Sequence, residues 1–417
     1  MYVRVLRCVA VVLLLGGTVA GAARQGIAAP LVRGTAHDVA VGGAPSAATL
    51  AAADTEFGLA VLAAQPAADN VVLSPQSLAS GLGMAYQGAH GQTAREMARV
   101  LRLPAEGDRL LAGLHRRGAA LRANPDLKVS DTVWLDPREQ TRQDYLDRLA
   151  TGYRAGVRQV PLRTDAAASA TAINETVSAQ TDGRIPTVVA ADQLRGVGWV
   201  LTDAMALDAR WQHPFSADDT RPGAFHAPAG TVTTDYLRGE GRYRYAAADG
   251  WRAVALPYRG GRLEMIAMVP AGTGDPGGSA SPGATPHAET ITALTAGLRG
   301  TELSVELPKV DLSWSANLSG TLRGLGMGAA FGRDADFTGI SPDAAALAFV
   351  EHRTTLAVAE KGTKAAAVTA VGVRATSARL PARLQVRFDR PYLMLIRDRR
   401  TGEPVLLARI TDPTAAD

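Results

Sequence analysis

The constraint that narrows the fold most is the order in which two periodicities occur along the chain. Apolar spacing near a helical period of about 3.6 comes early. SPQSLASGLGMAYQGA (74–89) and TAREMARVLRL (93–103) read as helices capped by Ser74 and Thr93. Runs with strand character come later: KVSDTVWLD, VGWVLTDAMAL, RAVALPYRG, RLEMIAMVP, TELSVELPKVDL, LAFVEHRTTLAVAE, RLQVRFDRPYLMLIRD and PVLLARI. Helices first and strands after them, without regular βαβ alternation, predict an α+β fold with large mixed or antiparallel sheets.

A chain of 417 residues can bury a large core, and length alone would allow two or three domains. No internal repeat divides it. Residues 24–52 are small and polar without an apolar face and predict a flexible linker. Order is expected from near Asp54, where DTEFGLAVLAA sets Phe57, Val61 and Leu62 on one helical face. A second low-complexity stretch, AGTGDPGGSASPGATPHAET (271–290), predicts a surface loop. With no other break, residues 53–417 read as one domain.

MYVRVLRCVAVVLLLGGTVAGAA (1–23) has a basic start at Arg4 and Arg7, an apolar run, and small residues from Ala20 to Ala23. That is the layout of a secretory signal peptide, too short to span a bilayer comfortably, with a retained anchor as the alternative. The sole cysteine, Cys8, lies inside it, so a mature chain would have no disulfide and its stability would rest on its core. Export without disulfides fits a bacterial secreted protein. The net charge of +4 is small for this length, and no five like charges run together, which disfavours nucleic acid as a partner.

Catalytic patterns are missing. The chain has no GxSxG, SxxK, HExxH or CxxC, and the histidines lack ligand spacing, so neither a catalytic residue nor a bound metal or cofactor is expected. Gly324, Gly326 and Ala329 match a dinucleotide-binding pattern nominally, but they follow the helical NLSGTLRGL, which predicts a helix end and turn.

Seven segments in order, from about Asp54 to Pro413, resemble the serpins, a family of serine protease inhibitors. They are NVVLSPQSLASGLGMAYQGAHGQTAREMARVL, INETVSAQTDGRI, ARWQHPF, VALPYRG, LPKVDLSWSANLSGTLRGLGM, HRTTLAVAEKGTKAAAVTA and FDRPYLMLIRDRRTGEPVLLARITDP. The resemblance implies a serpin fold, with a large mixed β-sheet, further sheets, about nine helices and an exposed reactive-centre loop over residues 360–381. A monomer is expected, and its partners would be serine proteases. Heparin-like activation is disfavoured by the dispersal of the arginines in sequence.

The loop sequence itself is written for two states. Thr363, Ala365, Ala367, Thr369, Val371 and Val373 alternate with Lys364, Ala366, Val368, Ala370, Gly372 and Arg374, so both charges fall on one parity, as in a half-buried strand. Ala, Gly and Thr hold a strand only weakly, and RATSARLP downstream is polar, which suits an exposed loop. In serpins a protease cleaves this loop and forms an acyl-enzyme, and the hinge then inserts into the central sheet. Roughly ten new ladder hydrogen bonds at about 1 kcal/mol each, with burial of one face, would drive that step.

The resemblance assigns the hinge to Glu360, Gly362, Thr363, Ala365, Ala366, Ala367 and Thr369. Counting sixteen positions on from Glu360 puts the reactive bond at Thr376–Ser377, with Arg374, Arg379 and Leu380 as alternatives. Thr376 would suit elastase-like or subtilisin-like proteases, and an arginine trypsin-like ones. Ser74, Pro75, Ser77, Asn174 and His352 match the family's shutter, polar groups beneath the point where the sheet parts, and Trp211 matches the breach at its top. Asp203 stands where Asn is usual, Lys364 where Glu is common and Ala408 where Gly is normal. The rival readings are a non-inhibitory serpin that is merely cleaved or acts by binding, and, more remotely, a secreted hydrolase.

Overall fold

Side-chain caps fix where the first helices begin. In the computed structural model, which describes residues 29–39, 42–272, 284–344, 346–363 and 384–415, the Ser46 hydroxyl accepts from the Thr49 N–H at 3.1 Å and opens α1 (Ala47–Ala63). Ser74 does the same for α2 (Pro75–Tyr86), with Pro75 in the first turn, where its missing N–H costs nothing. Then follow α3 (Gly91–Val100), α4 (Gly107–Arg122), α5 (Gln143–Tyr153), α6 (Ala166–Gln180), α7 (Ala288–Gly297) and α8 (Ser319–Gly324). Thr93 lies inside α3 and does not cap it; its hydroxyl accepts from the Asp336 N–H at 3.0 Å.

The strands of the first half are β1 (Leu31–Val32), β2 (Val71–Leu73), β3 (Leu127–Leu135), β4 (Val157–Gln159), β5 (Trp199–Leu207), β6 (Ala209–Arg210), β7 (Arg221–Ala227) and β8 (Gly230–Ala248). The second half adds β9 (Trp251–Pro257), β10 (Leu263–Pro270), β11 (Arg299–Pro308), β12 (Val310–Asn317), β13 (Val350–Ala359), β14 (Gly362–Thr363), β15 (Gln385–Arg387), β16 (Tyr392–Asp398) and β17 (Pro404–Ile410). They form a mixed sheet in the order β1-β4-β3-β5-β13-β14-β6, with β12 paired to β13. A second sheet has the order β15-β11-β8-β9-β10-β16-β17-β2, with β7 paired to β8. The expected α+β fold is present, with eight α-helices among the described residues where about nine were expected.

β5 is buried along its whole length, which is why it reads as an uninterrupted apolar run. Its alternation serves two layers. Val200 and Ala204 join Trp134 in a core against Ile173 and Val177 of α6, and Leu201 joins Leu78 and Leu82 of α2 in another. Met205 and Leu207 pack between the sheets with Val254, Met265 and Met394. Gly324 and Ala329 lie in α8 and the short helical turn after it, with Gly326 at φ 105 between them, so the glycine pattern ends a helix as expected.

The linker expectation for residues 24–52 fails over much of that range. β1 extends the sheet by pairing with β4, the Thr35 N–H donates to Asp147 Oδ1 at 2.7 Å, and the His37 N–H donates to Thr151 Oγ1 at 3.0 Å on α5. α1 starts seven residues before Asp54, because Leu50 packs on Leu110 and Leu114. Asp54 is no cap but a buried partner of Arg117, at 2.6 Å. The expected signal peptide lies outside the described residues.

Gly156 makes the β1 contact possible, since a Cβ there would stand 2.2 Å from the Val32 carbonyl oxygen. Gly156→Ala is therefore expected to detach residues 29–39 while the body of the fold persists. Limited proteolysis read by mass spectrometry should show new cuts confined to that segment.

Candidate functional site

The sheet is closed below and occupied above. From Leu201 to Ala206 and from Val350 to Thr355, β5 and β13 pair directly and in parallel. Beyond Ala359 the chain turns at Glu360 and Lys361 and returns as β14, antiparallel to β13 through Val358–Thr363 and to β6 through Thr363–Ala209. Gly362 and Thr363 thus lie between β13 and β6, the short strand that follows β5, above the stretch where β5 and β13 pair directly.

Gly362 is required by that close approach. Its φ is 152, and an added Cβ would meet Ala209 O at 2.2 Å and Arg210 Cα at 2.6 Å. The turn before it is anchored on three sides. Trp211 donates from its backbone N–H to Lys361 O and from Nε1 to Ala359 O, both at 2.9 Å, and the Phe215 N–H donates to Glu360 O at 2.8 Å. The Trp211 ring stacks on Tyr258 at 4.5 Å, and the Tyr258 hydroxyl meets Thr363 Oγ1 at 2.5 Å. Burial pushes the Tyr258 phenol up, so it stays protonated in this contact. Burial also pushes the Glu360 carboxyl up, but hydrogen bonds from its own backbone N–H, from Lys309 Nζ at 3.0 Å and from Thr220 Oγ1 at 3.0 Å hold it below the usual carboxylate range.

Within the closed seam, Asp203 and His352 stand opposite each other on β5 and β13, and Asp131 stands opposite Asp203 on β3. Their protons can be counted. The Ser74 backbone N–H donates to His352 Nε2 at 3.0 Å, so that nitrogen is bare and the ring proton sits on Nδ1, which donates to Asp203 Oδ1. Ser77 Oγ lies 2.6 Å from Asp203 Oδ2 and 2.7 Å from Asp131 Oδ1. One hydroxyl has one proton, so it cannot donate to both carboxylates. Asp131 supplies the second. Burial, then the charge of Asp203, pushes its carboxyl well above the ordinary value, although one edge opens on a cavity lined by Gln76, Ser80 and Arg117. The result is a continuous chain of donors from Asp131 through Ser77 to Asp203, met from the other side by His352 and Ser74.

The structure thus brings Ser74, Pro75, Ser77 and His352 together, and corrects Asn174. That residue lies on α6, on the opposite face of the sheet, where its Oδ1 accepts from the Val188 and Val189 N–H groups at 2.8 and 3.1 Å and its Nδ2 donates to Val189 O at 2.9 Å. It fastens the segment after α6 and touches none of the Ser77 group. Asp131, Tyr258 and Lys309 were not foreseen. Two aspartates inside apolar strand runs were the available signal for Asp131, since a buried carboxylate needs a partner. Ala408 is buried on β17 opposite Val72. Lys364, Ala365, Ala366, Ala367, Thr369, Arg374, Thr376, Ser377, Arg379 and Leu380 lie outside the described residues. Among the described residues no group of three or more His, Cys, Asp or Glu could hold a metal ion.

The model of the family described as serpin (serine protease inhibitor) matches residues 52–413. An uncharacterized serpin-like protein of Thermococcus kodakarensis is 33% identical over 83% of this chain and 81% of its own. The leukocyte elastase inhibitor of Sus scrofa is 27% identical over 87% of this chain and 99% of its own. Among solved structures, the thermophilic serpin tengpin in its native state superposes with a TM-score of 0.78 at 22% identity, covering 91% of this chain and 97% of that one. The chain belongs to the serpin family, a family of serine protease inhibitors and not of enzymes, some of whose members are non-inhibitory.

The proton count gives a pH dependence. A carboxyl whose native value is raised adds stability that is complete below its unfolded value, about 3.9 for aspartate, and is lost as pH rises through the native value. Asp131→Asn keeps a donor to Ser77 without the titration. The thermal midpoint of the variant should exceed that of the parent at neutral pH and the two should converge in acid. Asp54 and Glu403 are raised as well and act equally in both proteins, so the difference curve isolates Asp131.

Proposed function

We propose that this serpin is a secreted, single-use inhibitor of serine proteases that traps the acyl-enzyme by taking its own cleaved loop into the β5–β13 seam. The observation that carries this reading is the placement of Gly362 and Thr363 between β13 and β6, directly above a parallel ladder. The protease serine attacks the carbonyl of Thr376, the amine of Ser377 leaves, and the loop from Lys364 onward is freed at one end. Each further residue that follows Thr363 into the seam breaks a parallel pair and makes antiparallel pairs on both sides, and antiparallel pairing is the slightly stronger of the two. The small inward residues Ala365, Ala367 and Thr369 favour fast entry before the acyl bond is hydrolysed. Displacing an oxyanion donor in the trapped protease slows deacylation by about a hundredfold or more.

Elastase-like or subtilisin-like targets follow from Thr376, and the relative named leukocyte elastase inhibitor supports that class. Export through residues 1–23 belongs to the same reading; an N-terminus beyond residue 23 on protein recovered from the culture medium would bear it out.

The decisive experiment mixes the purified protein with elastase, subtilisin and trypsin and runs a denaturing gel. A resistant band of summed mass is expected with at least one protease. Clean loop cleavage without that band would make the protein a substrate-like serpin. Thr363 already sits between β13 and β6, buried against Tyr258, so an arginine there would not fit and would block the residues that follow from entering the seam. This variant should lose the resistant band and keep the cleavage; an unchanged yield of complex would remove the proposal.

A further inference from the structure

Three ionisable side chains from distant parts of the chain meet in the core. Asp54 of α1, Arg117 of α4 and Glu403, which ends the turn between β16 and β17, are 4%, 5% and 1% exposed. Arg117 Nη1 donates to Asp54 Oδ2 at 2.6 Å and stands 3.6 Å from Glu403 Oε1. Neither carboxyl oxygen of Glu403 receives a hydrogen bond among the described residues. Its backbone is fixed by the turn: the Asp398 N–H donates to Glu403 O at 3.0 Å, the Gly402 N–H to Asp398 O at 2.9 Å and the Glu403 N–H to Thr401 Oγ1 at 3.2 Å.

The charges of this group do not balance. One guanidinium neutralises one carboxylate, and its short contact is with Asp54. A second carboxylate that is buried and receives no donor is strongly disfavoured against its neutral acid. The titratable groups around the cluster do not relieve it. Asp398 on β16 is engaged by Arg262 Nε at 2.9 Å and by the N–H groups of Arg400 and Thr401, and as an anion it repels a charge on Glu403. Asp131 on β3 and Tyr153 on α5 line a cavity together with Arg117 and bring no positive charge.

We infer that Glu403 keeps its proton in the folded protein and shares it with Asp54, and that this proton latches the β16–β17 turn to α1 and α4 until rising pH removes it. Burial pushes the Glu403 carboxyl well above its ordinary value; the Arg117 charge offsets part of this, and the charges of Asp54 and Asp398 add to it. A raised glutamate adds stability that is complete below its unfolded value, about 4.3, and is lost as pH rises through the native value. Once the proton leaves, two carboxylates compete for one guanidinium. Asp54 and Arg117 are built into helices and Glu403 is carried by a turn, so the turn is the part that gives way. The latch needs no cleavage of the reactive loop, and it stands or falls independently of the inhibitory reading.

Thermal midpoints of the full chain, of Glu403→Gln, of Asp54→Asn and of the double variant, measured from acid to alkaline pH, test the inference. Glu403→Gln keeps a donor to Asp54 without a titration, so its midpoint should match the parent's in acid and exceed it as pH rises. Asp54→Asn leaves Glu403 alone with the guanidinium and should remove the same pH-dependent loss. The double variant strands Arg117 without a counter-charge and should melt several degrees below either single variant at every pH. Asp131 titrates in all four proteins and drops out of the differences. Hydrogen exchange at residues 399–403, corrected for the intrinsic pH dependence of amides, should rise with pH in the parent and stay flat in Glu403→Gln. A Glu403→Gln midpoint below the parent's at every pH would make Glu403 a permanent anion paired with Arg117 and overturn the latch. A difference that does not change with pH, or equal exchange in the two proteins, overturns it as well. If Glu403→Gln does not fold, the Asp54→Asn curve decides by the same criterion.

Discussion

The parallel contact between β5 and β13 is the interaction on which the rest depends. Strands β5 and β13 are far apart in sequence, and six register positions hold them together. A parallel pair in mid-sheet is stable when both faces are covered. Here α6 covers one face through Ile173 and Val177, and α2 covers the other through Leu78 and Leu82. Cover on both faces makes opening costly. Pairing that is weaker than the antiparallel alternative makes opening rewarding once a further strand is supplied.

Where opening can start is set by the upper end of the seam. β14 already separates β13 from β6, and its turn is held by Trp211, Tyr258, Lys309 and Thr220. Entry from the top needs no new nucleus, because the first two rungs exist and each following residue extends them. The turn at Glu360 fixes the chain's direction, so the strand can only grow downward. At this turn the backbones at Gly362 come too close for any side chain.

Much of this was legible in the sequence. β5 and β13 show as VGWVLTDAMAL and LAFVEHRTTLAVAE, and the start of α2 shows in its Ser-Pro pair, because burial and capping leave local signatures. The ordered segment before Asp54 left none. Its two-residue strand gains its stability from β4 and α5, partners more than a hundred residues away, and an alanine-rich helix start has no apolar stripe. Asn174 was misplaced for the same reason: a motif reports that a residue matters but not which face of the sheet it serves.

Asp203 and Asp131 explain each other. The family resemblance expects asparagine at 203, a neutral group that can both donate and accept, and an aspartate there brings a charge into a buried seam. His352 cannot neutralise it, since the Ser74 N–H occupies Nε2 and leaves the ring uncharged. What the asparagine would have donated must come from elsewhere, and Asp131, within reach of Ser77, can supply it. Two aspartates sharing one proton through a serine therefore replace one amide. The exchange keeps every donor matched, but it makes the closed seam sensitive to pH where an asparagine would not be, because losing that proton leaves two like charges facing each other across β3 and β5.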